Sequence, residues 1–162
     1  MKSLILLLAA VAASEAVNGS VYKVLLSQKG YTQFLQYDIE IPDLREFTLC
    51  AWFKLYNLDQ DQTIFTYNLN GNRIIWLRMT SPDRIMKLSI AGKTVSSVAV
   101  TLPGNSWSHV CLSYQSASGA WAIYVDGNIV ECQASDVLNG IVIPGGGNLI
   151  IGYGTDENGK PN

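Results

Sequence analysis

The sequence predicts an all-β protein of two packed antiparallel sheets, and three features of the chain predict it. From Val21 onward, short apolar or alternating runs are separated by Gly, Pro, Asn and Asp, and β-branched and aromatic residues are frequent inside them. No window after the leading segment holds apolar side chains at i, i+3, i+4 and i+7 for three turns, so long helices are not expected. Asp126-Gly127, directly after an alternating run, is a hairpin signal, because a type I′ turn needs the positive φ that Asp and Gly tolerate. Strands at such spacing, closed by tight turns, pack as a two-sheet antiparallel β-sandwich.

Taken in order, the predicted strands are 21–26, 33–39, 47–55, 63–68, 74–79, 86–91, 94–101, 107–115, 121–126, 129–132 and 148–152. Two of them carry most of the architecture. In 47–55, Phe47, Leu49, Ala51, Phe53 and Leu55 share one face while Cys50 and Trp52 put apolar bulk on the other, which predicts a strand covered on both faces. Run 107–115 has the same mixed character with Cys111 in its middle, and two central strands with mid-strand cysteines are a natural place for a bridge.

Ahead of these strands, Met1-Lys2-Ser3 is followed by residues 4–13 without a polar side chain, the layout of a signal peptide. A membrane span needs about 20 apolar residues, and this run stops well short at Ser14 and Glu15. Small residues suit cleavage after Ala16 or after Gly19, giving a signal peptide within 1–19 and one domain over 20–162. The protein is therefore expected to be secreted and extracellular. Cleavage after Gly19 would destroy the sequon Asn18-Gly19-Ser20, so glycosylation is not expected.

The net charge is −2 with both signs scattered, so no basic stripe tracks a nucleic acid, and no later run is long enough to span a membrane. Cys50, Cys111 and Cys132 enter an oxidising compartment, and one of the three is left over or pairs between chains. With a single His in the chain, His109, a zinc–thiolate site is not expected.

The segment His109-Val110-Cys111-Leu112-Ser113-Tyr114-Gln115-Ser116 resembles the signature of the pentraxins, departing only where Tyr114 stands for Trp. The resemblance continues in order through Phe47-Thr48-Leu49-Cys50, Ile64-Phe65-Thr66-Tyr67, Trp121-Ala122-Ile123-Tyr124-Val125-Asp126-Gly127 and Gly146-Gly147-Asn148-Leu149-Ile150-Ile151-Gly152. It implies the jelly-roll sandwich that pentraxins share with legume lectins and laminin G modules, and a Cys50–Cys111 disulfide that leaves Cys132 over. It also implies calcium-dependent binding of phosphocholine-like or carbohydrate ligands, homo-oligomers, and a part in innate defence.

Laid on this chain, the family's calcium motif retains Asn72 and Asp156, with Glu157 and Asn158 nearby as further oxygen donors; Gly71, Gly154 and Thr155 depart from it. Pentraxins continue for some tens of residues past the match, so a truncated relative or a fragment is expected. Calcium takes 6 to 8 oxygens, and a set this thin implies weak binding.

Catalysis has little to stand on. His109 lies in an apolar strand with no Ser or acid arranged around it as a triad requires, and reads as structural. The Glu-x-Asp-x-x-Glu run of related glycoside hydrolases is missing, and Asp38, Glu40, Asp43 and Glu46 read as a solvated loop. Trp52, Trp76, Trp107 and Trp121 sit in apolar strands and are assigned to packing. The reading is a non-catalytic binding protein, with a calcium-independent laminin-G-like adhesive module as alternative and a glycan-active enzyme third.

Overall fold

The computed structural model describes residues 23–26, 33–56 and 59–152, and within them every regular element is a strand. The strands are β1 (Leu35–Gln36), β2 (Glu46–Lys54), β3 (Gln62–Leu69), β4 (Asn72–Met79) and β5 (Ile85–Ile90). They continue as β6 (Lys93–Ala99), β7 (Trp107–Gln115), β8 (Ala120–Val125), β9 (Asn128–Ala134) and β10 (Asn148–Ile151). A six-stranded antiparallel sheet runs β1-β10-β3-β4-β5-β6, and a four-stranded one runs β2-β7-β8-β9. The protein is a jelly-roll sandwich, as the sequence predicts.

Tight turns enforce this order. Asp126 and Gly127 both adopt positive φ, 49° and 81°, and fold β9 back beside β8 as expected of a type I′ turn. The same device recurs at Asn70-Gly71 and Ala91-Gly92, which join β3 to β4 and β5 to β6.

Between the sheets, alternate residues interlock. Phe65, Tyr67, Leu77, Leu88, Val110, Leu112, Ile123, Leu138 and Ile143 form one buried cluster. Tyr114, where pentraxins have Trp, holds the 135–141 segment against it: its hydroxyl lies 2.7 Å from the Ile141 carbonyl oxygen and 3.0 Å from that of Leu138. Burial pushes the phenol pKa up, against a smaller lowering by the Ser116 side chain. Gly119 permits the segment's approach, since its φ is +63° and a Cβ there would lie 2.2 Å from the Ser135 carbonyl oxygen.

Three expectations are corrected. Lys23–Leu26 form no strand, Val21 lies outside the described residues, and of run 33–39 only Leu35–Gln36 form a strand, the Tyr37 amide adding one bond to the Leu149 carbonyl. Strand β2 is covered on one face only: Phe47, Leu49, Ala51 and Phe53 face the other sheet, whereas Thr48, Cys50 and Trp52 are exposed. Two of the four tryptophans are exposed, Trp52 at 64% and Trp107 at 42%; Trp121 at 3% joins the core, and Trp76 at 8% is buried outside it. The alternation puts Trp52 out of phase with the core-facing residues, and no described segment covers it.

Candidate functional site

Two surfaces gather chemistry-bearing side chains, the outer faces of the two sheets. On the six-stranded sheet, Phe65 and Leu77 point into the core, so their neighbours Thr66 and Trp76 stand on the outer face. A register shift between Tyr67 and Asn68 makes Ile74 the extra residue of a bulge, which turns Arg73 toward that face. The Arg73 and Arg78 guanidinium carbons lie 4.0 and 4.2 Å from the Trp76 ring centroid, and Trp76 Nε1 donates to Thr63 Oγ1 at 3.2 Å. Arg78 is also 3.6 Å from Asp61 Oδ2, and the Ser81 amide donates to Asp61 Oδ1 at 2.9 Å. An indole held between two cations and a hydroxyl is a rigid platform.

Asn72 opens β4 at the end of the same sheet and is exposed; its Nδ2 donates to the Asn70 carbonyl at 3.3 Å. In the neighbouring strand, Asn68 Oδ1 is buried with no hydrogen-bond partner among the described residues, and Asn68 faces Arg73 on one side and Asn148 on the other. Asp156 and Glu157 lie outside the described residues. Asn72 supplies a hard oxygen of the kind calcium takes, but it is a neutral amide, and Asn68, one rung away in the ladder, turns its side chain to the opposite face, which fits weak coordination only.

On the four-stranded sheet the outer face carries the Cys50–Cys111 disulfide, between residues directly opposite in β2 and β7 and 61 apart in sequence. Cys132 is free and exposed. The next pair along, Trp52 and His109, stacks at 4.8 Å between ring centroids and 27° between planes. The His109 ring nitrogens come within 3.7 and 4.0 Å of Cys111 Sγ, and its backbone amide donates to Asp126 Oδ1 at 2.8 Å. Cys50, His109 and Cys111 thus sit within 4.8 Å of one another, yet the bridged sulfurs are not thiolates and make no metal site. On the same sheet lies an open trough of about 710 Å³, lined by Glu46, Thr48, Ser113, Ala120, Ala122 and Tyr124 among others.

Sequence reasoning placed Asn72 on this sheet but missed Arg73 and Arg78 around Trp76. Their spacing on one strand gives a signal for Arg78, two residues from Trp76 and hence on its face. Arg73 is out of phase and reaches the ring only because of the bulge.

This architecture is that of a lectin-like sandwich. Residues 27–161 match the family described as the concanavalin A-like lectin/glucanases superfamily, laminin G type, and the chain belongs to it. Within it the homologues are pentraxins. C-reactive protein 1.4 of Limulus polyphemus is 31% identical over 123 residues, 74% of this chain and 50% of that protein. The neuronal pentraxin receptor of Homo sapiens is 29% identical over 90 residues, 55% of this chain and 18% of the receptor. A heptameric SAP-like pentraxin of Limulus polyphemus superposes with a TM-score of 0.65 at 22% identity, covering 84% of this chain and 65% of that one. The chain spans about half the length of the Limulus C-reactive proteins it matches.

Proposed function

We propose that this protein is a secreted, non-catalytic recognition module that binds phosphate-bearing or carbohydrate ligands through the outer face of its six-stranded sheet. The observation that carries the reading is the placement, on one sheet, of the Asn72 turn and the Trp76 ring flanked by Arg73 and Arg78. The Trp76 ring, buried beneath the two guanidinium groups, holds them in place, and a guanidinium matches phosphate or carboxylate oxygens. The pentraxin relationship supports the same reading and adds extracellular defence as its setting.

Calcium enters as a weak auxiliary. Asn72, Asp156 and Glu157 would hold one ion, which when bound supplies positive charge to an anionic ligand group. With few carboxylates, its Kd belongs at about 10⁻⁴ to 10⁻³ M. At about 2 mM calcium and a Kd of about 1 mM, the fold gains roughly 0.6 kcal/mol.

Retention on phosphocholine and polysaccharide resins, with calcium and with chelator, tests the proposal. Elution of the bound protein by free ligand supports it, and no retention on either resin in either condition contradicts it. Retention unchanged by chelator favours the calcium-independent variant, to which the neutral amides and the two guanidinium groups point. Calorimetric titration checks the ion: two sites of micromolar affinity, or binding unchanged by Asp156→Ala, would overturn the single weak site.

A further inference from the structure

Three metal-ligating side chains meet on the outer face of the four-stranded sheet, and ligand binding by the other sheet uses none of them. Cys50, His109 and Cys111 each bring a sulfur or ring nitrogen to within 4.8 Å of the others. The ladder puts them there. Residues two apart on a strand share a face, so His109 and Cys111 stand side by side on β7, and Cys50 lies directly opposite Cys111 on β2. The Ser116 amide donates to the Arg45 carbonyl at 2.7 Å, so the odd-numbered residues of β2 bond to β7 and the amides of Thr48, Cys50 and Trp52 point away from it. Cys50 and Cys111 are therefore a non-hydrogen-bonded pair, the kind whose side chains approach most closely, with Cα atoms 4.1 Å apart.

Bridged to each other, the two sulfurs are not ligands, but opening the bridge leaves the three groups gathered. Strands β2 and β7 pair in one uninterrupted register from Glu46 to Lys54 with Cys50 at its centre, so the ladder holds the backbone without the S–S bond. Trp52 stacks on the His109 ring at 4.8 Å between centroids and sets its plane, and Asp126 Oδ1 accepts the His109 amide at 2.8 Å. A tetrahedral zinc ion, with Zn–S near 2.3 Å and Zn–N near 2.0 Å, spaces its ligand atoms about 3.6 to 3.8 Å apart. The His109 ring nitrogens already stand 3.7 and 4.0 Å from Cys111 Sγ. Only the two sulfurs have to part, which side-chain rotation supplies.

We infer that the reduced chain holds one zinc ion on Cys50, Cys111 and His109, with a fourth position open to water, and that bridge and metal exclude each other. An external dithiol opens the bridge: it gives up two electrons and two protons, becomes its own disulfide, and leaves Cys50 and Cys111 as thiols. Zinc then binds both sulfurs as thiolates, and each releases its proton. Two thiolates and an imidazole suit zinc, whereas calcium takes oxygen. The ion restores the tie between β2 and β7 that reduction removes.

Zinc and cobalt titrations of the full chain test this, in a Cys132→Ser background so that the free thiol does not compete. The protein is reduced with a phosphine, which is then removed. The expected result is one zinc per reduced chain and none per oxidised chain, with both thiols shielded from alkylation. Cobalt in place of zinc should show the thiolate charge-transfer bands of a tetrahedral site. Zinc should raise the urea midpoint of the reduced protein alone, and should refold the chain if reduction unfolds it. Loss of a group that merely supports a ligand costs about tenfold or more in metal affinity, so His109→Ala should weaken zinc at least that much. A bridge that resists the phosphine in the folded protein, zinc bound with no gain in stability, or an affinity indifferent to His109→Ala would each overturn the proposal.

Discussion

Among the described residues the sandwich is tightly packed on one side and loosely packed on the other. Where β9 meets β6, Glu131 reaches Ser96, Tyr114 holds the 135–141 segment, and Val110, Leu112, Ile123 and Leu138 are fully buried. Where β2 meets β1 and β10, Leu49, Ala51 and Phe53 face the interior but remain only partly buried, and Tyr37 and Ile39 are 45% and 59% exposed. The same alternation of apolar residues therefore yields a dense core or a half-wet one according to what lies across from it. Sequence period fixes which face a residue takes; neighbours fix what that face is worth.

The largest expected effect marks the dense side. Leu112→Ala should cost about 2 to 5 kcal/mol in chemical denaturation, and Leu49→Ala, from a partly wet position, about 1. Equal losses would erase the difference between the two sides. Removing the Cys50–Cys111 bridge should cost about 4 kcal/mol, since it closes a loop of 61 residues next to the edge with least packing to replace it. Peptide mapping without reductant should recover Cys50 joined to Cys111 and Cys132 as a free thiol; Cys132 bridged to either would contradict the assignment.

Tyr114→Phe should cost about 1 to 3 kcal/mol, because the Leu138 and Ile141 carbonyls lose their donor. Its pH dependence sharpens the point. The phenol pKa is raised in the fold, so the stabilisation is complete below the unfolded value near 10 and is lost as pH rises through the higher folded value. The wild type should therefore lose stability in alkaline urea melts from about pH 10 upward, and the variant less so. The smallest effect belongs to Trp52→Ala, which in dilute protein should change stability by about 0.5 kcal/mol or less, as an exposed residue does. A loss of several kcal/mol would show that the outer face of β2 is covered.

Much of this was legible in the sequence. Strand β7 reads to the residue, because its alternation is unbroken and Trp107 and Gln115 bound it. The Asp126-Gly127 turn and the disulfide were equally plain, the second through the pentraxin resemblance. Strand β9 was read three residues short, since the bulge at Val130 breaks the alternation that marks a strand. Segment 33–39 was read too long, because extended chain at an edge has the same pattern whether or not it enters a ladder. Arg73 at Trp76 was invisible for a related reason: only the bulge at Ile74 brings it onto that face. Exposure of Trp52 could not be read because no local pattern says whether a third layer exists.

Residue-resolved amide hydrogen exchange tests the central contrast most directly, with the outward amides of Thr48, Cys50 and Trp52 set against those of Ala122 and Ile123 in doubly paired β8. In dilute protein the account predicts rapid exchange for the three β2 amides and exchange slowed toward the global unfolding limit for β8. Protection of the β2 amides equal to that of β8 in the dilute protein would contradict it.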